Sequence, residues 1–229
     1  MAGPKVTVLG AGSFFFGKPV IHKFATSKVM AGGTLALVDT DPHVLRTMVR
    51  LARGVLGERK TGVKVIGSTD RKAVMKDSDF VVLTFSDRNA HFRGIDTRLA
   101  ATHGVRMCSS DTIGPGGIFR ALREVPHVLD VCEDVRRLCP AAWVINFINP
   151  TAVLGIALRR FAADIRSFAL CDGHHEPFFS LRYAKLVGVL DREATDIPPE
   201  VEAETDLHWV EDLSGFFRIL DGLSRSEQG

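Results

Sequence analysis

The sequence lacks any apolar run that approaches the length needed to cross a membrane, about 20 residues. It also lacks a strong charge of either sign, since its 229 residues carry a formal net charge of +2. So weak a charge offers no electrostatic basis for binding nucleic acid or an anionic membrane. The first residues, MAGPKVTVLG, are typical of a β-strand rather than of a secretory signal. We therefore expect neither nucleic acid nor a membrane among the partners.

Cysteine is scarce, and no pair of cysteines has the CxxC or disulfide-scaffold spacing that would indicate a stapled secreted protein. The four cysteines are Cys108, Cys132, Cys139 and Cys171. Internal repeats and low-complexity segments are also missing. Reduced thiols in the cytoplasm are the simplest interpretation, so we expect a cytoplasmic protein.

What the sequence does contain is a regular alternation of short apolar strands with helical segments. The pattern predicts strands at 5–9, 34–38, 63–66, 80–84, 143–147 and 165–170. It predicts helices at 18–26, 42–56, 70–76, 95–103, 118–138 and 151–161, with Asp41 capping the second of them. Such alternation favours an α/β fold with a doubly wound, mostly parallel sheet of Rossmann type. Ligands of such a sheet bind at the carboxyl ends of its strands.

The first strand leads into a glycine turn, KVTVLGAGSFFFG, and a helix follows. Gly12 would allow backbone to approach a pyrophosphate, and the helix N-terminus favours an anion. Asp39 closes the next strand, where an acidic residue can bind ribose hydroxyls. Phe15 stands where the third glycine of the dinucleotide fingerprint would fall. The alternative is an ordinary strand-to-helix turn.

The regular alternation of apolar strands and helices ends after residue 170. We predict a helix at 176–189, an acidic connection at 191–206 and two strands at 207–210 and 216–220. The predicted domains are a nucleotide-binding domain at 1–170 and, at 171–229, the start of an incomplete α+β substrate domain.

Two polar clusters follow strands of the predicted sheet. Residues 84–93 contain Arg88 and other charged side chains, and a solvated loop would explain them equally well. Residues 111–117, DTIGPGG, open a helix and favour an anion or hydroxyl site close to the backbone, with Arg120 and Arg123 near its first turns. A simple connector is the alternative for this second cluster.

Two further clusters end later strands. In NFINPT, residues 146–151, Asn149 can cap the following helix or point to a ligand. In ALCDGHHE, residues 169–176, a thiol, a carboxylate and two imidazoles suit a divalent metal. The alternative is that Asp172 caps a helix and the histidines are solvated.

Together, GAGSFFFG, SDTIGPGGIFRALREVP, NFINPT and ALCDGHH resemble family 4 of the glycoside hydrolases, the NAD- and metal-dependent glycosidases. The resemblance covers nearly the whole chain in order. It implies hydrolysis in which NAD⁺ takes a hydride from C3 of the sugar, a base removes the C2 proton, the aglycone leaves, and water adds. It also implies a divalent metal, usually Mn²⁺, that polarises the sugar oxygens. Glycosidases of this family are exceptions to the usual two-carboxylate mechanism.

The resemblance also assigns roles to individual residues. Cofactor-binding positions are Gly10, Gly12, Ser13, Phe14, Asp39 and Asn146. Substrate-binding positions are Arg88, Asp111 and Asn149. Cys171 matches the first metal ligand, His208 the second, and Asp172 a general acid beside the cysteine. Leu207 replaces the asparagine expected before His208, and His175 is a rival ligand.

Length and tyrosine content depart from the family. Relatives continue through a substrate domain with a tyrosine base, whereas the single tyrosine here, Tyr183, precedes His208. The expectation is a fragment or an early end, with a homo-oligomer in the full-length form. Asp111 and Thr112 resemble members acting on unphosphorylated sugars, which suggests an α-galactoside, α-glucoside or α-galacturonide. The competing hypotheses are an NAD-dependent 2-hydroxy-acid dehydrogenase and an inactive NAD-binding fragment.

Overall fold

A computed structural model describes residues 3–13, 16–107 and 114–170 of the chain. Its strands are β1 (Lys5–Leu9), β2 (Thr34–Val38), β3 (Lys64–Ser68), β4 (Phe80–Leu83), β5 (Trp143–Asn146) and β6 (Arg166–Ala169). Its helices are α1 (Gly17–Thr26), α2 (Pro42–Glu58), α3 (Lys72–Met75), α4 (Asn89–Thr102), α5 (Gly114–Leu138) and α6 (Thr151–Phe161). The predicted elements after residue 170, and the predicted domain at 171–229, lie outside the described residues.

The six strands form one sheet in the order β3-β2-β1-β4-β5-β6, and every pairing is parallel. This order is the doubly wound arrangement in which the strand sequence reverses beside β1. The predicted Rossmann-type fold is therefore confirmed. Its switch point lies between β1 and β4, where ligands of such sheets bind.

Both faces of the sheet are covered, because alternate side chains of each strand point to opposite sides. Val6 and Val8 of β1 pack with residues of α1 and α2 in one buried cluster. Leu9 packs in a second cluster with residues of α5 and α6. Helices on both faces explain why the strands read as continuous apolar runs.

The α2 boundary follows from local chemistry that the sequence displays. The Asp41 carboxylate accepts hydrogen bonds from the backbone N–H of His43 at 2.7 Å and of Val44 at 3.2 Å. Pro42 occupies the first turn, where a missing N–H costs nothing. The predicted cap is therefore confirmed, and the helix continues to Glu58, two residues beyond its predicted end.

Two helices begin four or more residues earlier than predicted. Helix α4 starts at Asn89, so the later part of the polar cluster 84–93 is helical and not a loop. Helix α5 starts at Gly114, four residues before the predicted start at 118, so Gly114, Gly116 and Gly117 form its first turn. A first turn tolerates glycine and proline because its N–H groups need no partner within the helix. A 3₁₀ turn at Lys28–Met30 was also not predicted, and β3 lies slightly later than expected.

Salt bridges attach α3 to α5. Arg71 donates to Asp134 Oδ2 at 2.7 Å and to Asp130 Oδ2 at 2.6 Å. Arg137 also donates to the buried Asp134. Within the described part of the chain, no helix has both the length and the apolar character of a membrane span.

Candidate functional site

The carboxyl ends of the central strands meet in one layer, and backbone hydrogen bonds extend the sheet beyond them. Thr84 N–H donates to Leu9 O at 2.8 Å, and Phe147 N–H donates to Leu83 O at 2.9 Å. Leu170 N–H donates to Asn146 O at 2.8 Å. The glycine turn, the loop after β4 and the turn after β5 are thereby brought to the same edge. This edge contains the switch point of the sheet between β1 and β4.

The turn after β1 has a shape that only glycine allows at its first position. Gly10 adopts φ of +89°, and a Cβ there would lie 2.6 Å from Phe85 N. The N–H groups of Gly10 and Ala11 both donate to Val38 O at 2.9 Å. The Ser13 N–H donates to Gly10 O at 3.0 Å, and this hydrogen bond closes the turn. Backbone is therefore held in a tight loop that faces the carboxyl edge.

Gly12 and Asp39 contact each other across this edge. Gly12 N–H donates to Asp39 Oδ2 at 2.8 Å, and Asp41 N–H donates to Asp39 Oδ1 at 3.0 Å. A Cβ on Gly12 would lie 2.3 Å from Val44 Cγ1 and 2.7 Å from Asp39 Oδ2. The half-buried Asp39 carboxylate is thus oriented by two N–H donors beside the bare backbone of Gly12. An acceptor pair in this position suits the hydroxyls of a ribose.

The third glycine of the turn is present at a later position than the usual fingerprint places it. Gly17 is the first residue of α1, and a Cβ there would lie 2.3 Å from Ala11 O and 2.7 Å from Met48 Cε. It therefore permits the close packing of helix on turn that the third glycine normally permits. Its position directly before the predicted helix start at 18 is the sequence signal that could have identified it within GAGSFFFG.

Among the described residues, no side chain caps the N-terminus of α1, and the first turn of this helix contains no acidic residue. Phe16 precedes the helix, and its ring packs on that of Phe147 with centroids 5.4 Å apart. This contact places the helix start next to the turn after β5. An uncapped helix N-terminus beside a glycine turn favours an anion.

The loop after β4 is attached to the glycine turn by Thr84. Its hydroxyl lies 2.9 Å from Leu9 O and 3.0 Å from Gly10 O, where it donates. Farther along, Arg88 adopts a left-handed conformation with φ of +38° as the residue preceding α4. Its guanidinium lies 5.0 Å from the centroid of the Phe92 ring, and its side chain is exposed. Arg88 therefore lies between β4 and α4 with an exposed side chain, whose Nε is 3.9 Å from Asp87 Oδ1.

Arg120 and Arg123 are more buried than Arg88, and each faces a buried carboxylate, whereas Arg88 lies near the exposed Asp87. Arg123 makes two hydrogen bonds to the buried Asp96, at 2.6 and 3.2 Å, and lies over Phe92. Arg120 is buried, with Nε 3.8 Å from a Glu124 carboxylate oxygen. Both arginines, predicted near an anion site, form ion pairs within the protein.

The turn after β5 is held by its own asparagines. Asn146 is fully buried; its Nδ2 donates to Ile148 O at 3.0 Å, and its Oδ1 accepts from Ile148 N–H at 3.3 Å. Its side-chain amide is engaged within the turn, so Asn146 would affect cofactor binding by setting the conformation of that turn. Asn149 is half-buried, and its Oδ1 accepts from the Thr151 hydroxyl at 2.8 Å. Pro150, not Asn149, occupies the cap position of α6.

Several predicted site residues lie outside the described residues: Phe14, Asp111, Cys171, Asp172 and His208, with the rival His175. Over 3–13, 16–107 and 114–170, no group of three or more His, Cys, Asp or Glu side chains could hold a metal. Cys132 and Cys139 are free thiols in the core, and burial raises the pKa of Cys132 to about 11. These two cysteines are therefore inert packing residues.

Comparison with known proteins supplies the family. Residues 5–178 match the family model described as "Family 4 glycosyl hydrolase". An α-galactosidase of Bacillus subtilis is 28% identical over 223 residues, which is 86% of this chain and 50% of that protein. The chain thus spans about half the length of this curated relative.

Two solved structures share the fold. A 6-phospho-α-glucosidase from gut microorganisms, in complex with NAD and Mn²⁺, superposes with a TM-score of 0.69 at 24% identity, covering 81% of this chain and 42% of that one. A 6-phospho-β-glucosidase from Thermotoga maritima, with manganese, NAD⁺ and glucose-6-phosphate, has a TM-score of 0.69 at 20% identity, covering 80% and 43%. Since the family match extends over most of the sequence and across the glycine turn, the chain belongs to family 4 of the glycosyl hydrolases.

Proposed function

We propose that this chain binds NAD in the turn after β1 and hydrolyses O-glycosidic bonds by the NAD- and metal-dependent chemistry of its family. The observation that carries the proposal is the contact between Gly12 and Asp39 at the switch point of the sheet. A chain of this family with that arrangement has the backbone and the carboxylate that a dinucleotide requires.

The described residues fit NAD. Side chains at Gly10 and Gly12 would occupy space next to the turn, so the absence of a Cβ leaves backbone accessible to a pyrophosphate. No described side chain caps the start of α1, and its positive end favours the phosphates. Asp39 accepts from ribose hydroxyls. Two solved proteins of the same fold contain NAD and manganese, which supports the same pair of cofactors here.

When bound, NAD⁺ supplies the hydride acceptor, and the divalent metal supplies a Lewis acid. Cys171 and His208 would hold the metal, and Asp172 would protonate the leaving group as a general acid. Asn149 would orient a sugar hydroxyl through its amide, at the turn that follows β5. Arg88 and Asp111 would bind the remaining hydroxyls. The positions of Asn149 in the turn after β5 and of Arg88 before α4 support this assignment.

The proposed substrate is an unphosphorylated α-galactoside, α-glucoside or α-galacturonide. Asp111 and Thr112 favour this class, and one similar protein is an α-galactosidase. We further propose that residues 1–170 form the NAD-binding domain, that 171–229 begin the substrate domain, and that the protein acts in the cytoplasm as a homo-oligomer. Reduced thiols support that compartment.

The experiment has two parts. Titration calorimetry of the chain with NAD⁺ tests the cofactor, and release of nitrophenol from aryl α-galactosides, α-glucosides and α-galacturonides tests the reaction. We expect hydrolysis only with NAD⁺ and Mn²⁺ together. Hydrolysis that persists without NAD⁺ would contradict the proposed chemistry.

NAD⁺ binding without turnover of any aryl glycoside would identify the chain as a nucleotide-binding fragment. Steady NADH accumulation with a 2-hydroxy acid, in the absence of metal, would favour a dehydrogenase instead.

A further inference from the structure

Glu124 is a buried carboxyl group on α5 that faces the loop after β4. The residue is 3% exposed, and its Oε1 accepts a hydrogen bond from the Ser86 hydroxyl, 38 positions earlier in the chain. Arg120 Nε lies 3.8 Å from the same oxygen. Within the described part of the chain, Oε2 has no hydrogen-bond partner. Burying a carboxyl group with an unmade hydrogen bond is costly, so the position is not explained by core stability.

Ser86 belongs to the loop that contacts the glycine turn. Immediately before it, Phe85 N lies 2.6 Å from where a Cβ of Gly10 would be. Thr84 attaches the start of this loop to Leu9 and Gly10, and Ser86 attaches its middle to α5. Two residues after Ser86, Arg88 takes its left-handed conformation and immediately precedes α4. The loop 84–88 therefore has two side-chain attachments, one on each side.

We propose that Glu124 is a positioning residue whose carboxyl group anchors Ser86 and so sets the loop 84–88 against the nucleotide turn, with Arg88 at the edge of the site. The inference rests on the proposed function, since its effect on ligands passes through NAD binding at Gly10 and Gly12. The anchoring of the loop 84–88 by Glu124 does not depend on NAD and can be tested separately.

The charges around Glu124 are consistent with this role. Burial raises the pKa of Glu124, while the hydrogen bond from Ser86 and the charge of Arg120 act in the opposite direction. His127 and Arg123 are the other charged groups that influence it, and Arg123 is paired with Asp96 from α4. The Oε1 acceptor for Ser86 is available whether or not the carboxyl group carries a proton, because a protonated carboxyl retains acceptor capacity.

The test compares four variants with the wild-type chain. Glu124→Leu removes the acceptor, Ser86→Ala removes the donor, and Glu124→Gln keeps an acceptor of the same shape. Thr102→Val is the matched control, because it removes a hydroxyl that donates to Leu99 O at the exposed end of α4. The two measurements are hydrogen–deuterium exchange of the amides in 84–88 and the Kd for NAD⁺ by calorimetry.

We expect Glu124→Leu and Ser86→Ala to accelerate exchange in 84–88 by about tenfold while the amides of β1 and β5 are unchanged. The same two variants should weaken NAD⁺ binding by about fivefold. Glu124→Gln should restore both quantities to near the wild-type values, and Thr102→Val should alter neither. Rescue by glutamine is the result that a merely space-filling role would not produce.

Unchanged exchange in 84–88 in Ser86→Ala would overturn the proposal, as would a Glu124→Gln variant as labile as Glu124→Leu. Ser86→Ala removes a single partly buried hydroxyl, so it keeps the test valid if Glu124→Leu does not fold. Failure of the wild-type chain to bind NAD⁺ would refute the proposed function, and the exchange data would still decide the anchoring role.

Discussion

The turn after β1 and the loop after β4 are neighbours at the switch point, yet their shapes have different origins. Glycines determine the first, since Gly10, Gly12 and Gly17 each occupy a place where a Cβ would overlap another atom. Side-chain hydrogen bonds determine the second, through Thr84 to β1 and Ser86 to α5. The comparison teaches that a turn made by backbone requirements is visible in sequence, whereas a loop held by distant partners is not.

The largest effect we expect follows from changing the glycine turn. Gly12→Ala places a methyl group 2.3 Å from Val44 Cγ1 and 2.7 Å from Asp39 Oδ2, so the turn and the carboxylate must move apart. We expect a loss of stability of about 2 kcal/mol, measured by urea unfolding. NAD⁺ binding should weaken by about a hundredfold, or about 2.7 kcal/mol, by calorimetry.

Gly54→Ala is the matched control, because no described residue has an atom within 4 Å of a Cβ at that position of α2. This variant should gain up to about 1 kcal/mol of stability and bind NAD⁺ as the wild type does. Equal affinities for the Gly12 and Gly54 variants would show that the turn is not the nucleotide site.

Asp39 tests the side-chain part of the same turn. Asp39→Ala removes the acceptor of the Gly12 N–H and the proposed ribose ligand, so NAD⁺ affinity should fall by about tenfold, or about 1.4 kcal/mol. Discrimination against NADP⁺ should decrease, because the carboxylate no longer repels a 2′-phosphate. Competitive titrations with both nucleotides measure the two effects.

Asp41→Ala serves as its control two residues away. It should cost about 1 kcal/mol of stability through loss of the α2 cap and leave the Kd for NAD⁺ unaltered. A similar loss of affinity in both variants would instead attribute the effect to disruption of the junction between β2 and α2.

Thr84 tests the attachment between the two regions. Thr84→Val keeps the shape of the side chain but removes the donor to Leu9 O and Gly10 O. We expect a loss of about 1 kcal/mol in the free energy of unfolding. Thermal unfolding of this variant beside Thr102→Val measures it, and equal melting temperatures would show that the attachment contributes nothing.

The least pronounced effect is a pH dependence that originates at Glu124. Burial raises the pKa of Glu124 in the folded protein above its ordinary value of 4.5. The native state therefore keeps a proton over a pH range in which the unfolded chain has released it, and stability falls as pH rises through that range. Glu124→Gln cannot titrate, so its stability relative to wild type should increase with pH from mildly acidic to neutral solution. Urea unfolding at several pH values checks the sign, and a constant difference would contradict it.

Much of the fold could be predicted because its signals are local. Apolar runs predicted the strands within a few residues, and Asp41 before Pro42 predicted the start of α2. The start of α4 was missed because polar residues such as Asn89 and His91 give no apolar pattern that would indicate a helix. Their helical conformation begins directly after Arg88, which is left-handed. The start of α5 was missed because the glycines of 111–117 were placed before the helix, although a first helical turn accepts them.

Only part of the candidate site could be predicted from the sequence. Gly10, Gly12 and Asp39 were identified from their order along the chain, and the structure brings them together. The buried state of Asn146 could not be foreseen, since its amide is engaged by Ile148 in a turn of specific geometry. The proposed roles of Cys171, Asp172 and His208 remain predictions from the family resemblance.

By itself the sequence determined the order of strands and helices, the glycine turn and the acidic residue that follows β2, because periodicity, caps and glycine requirements act over a few residues. Only the tertiary structure decided that Gly17 packs on Ala11, that Ser86 contacts Glu124, and that Arg123 is held by Asp96. The physical reason is the parallel sheet. It brings residues far apart in the chain to one edge, and nothing in the spacing along the chain records which side chains then meet.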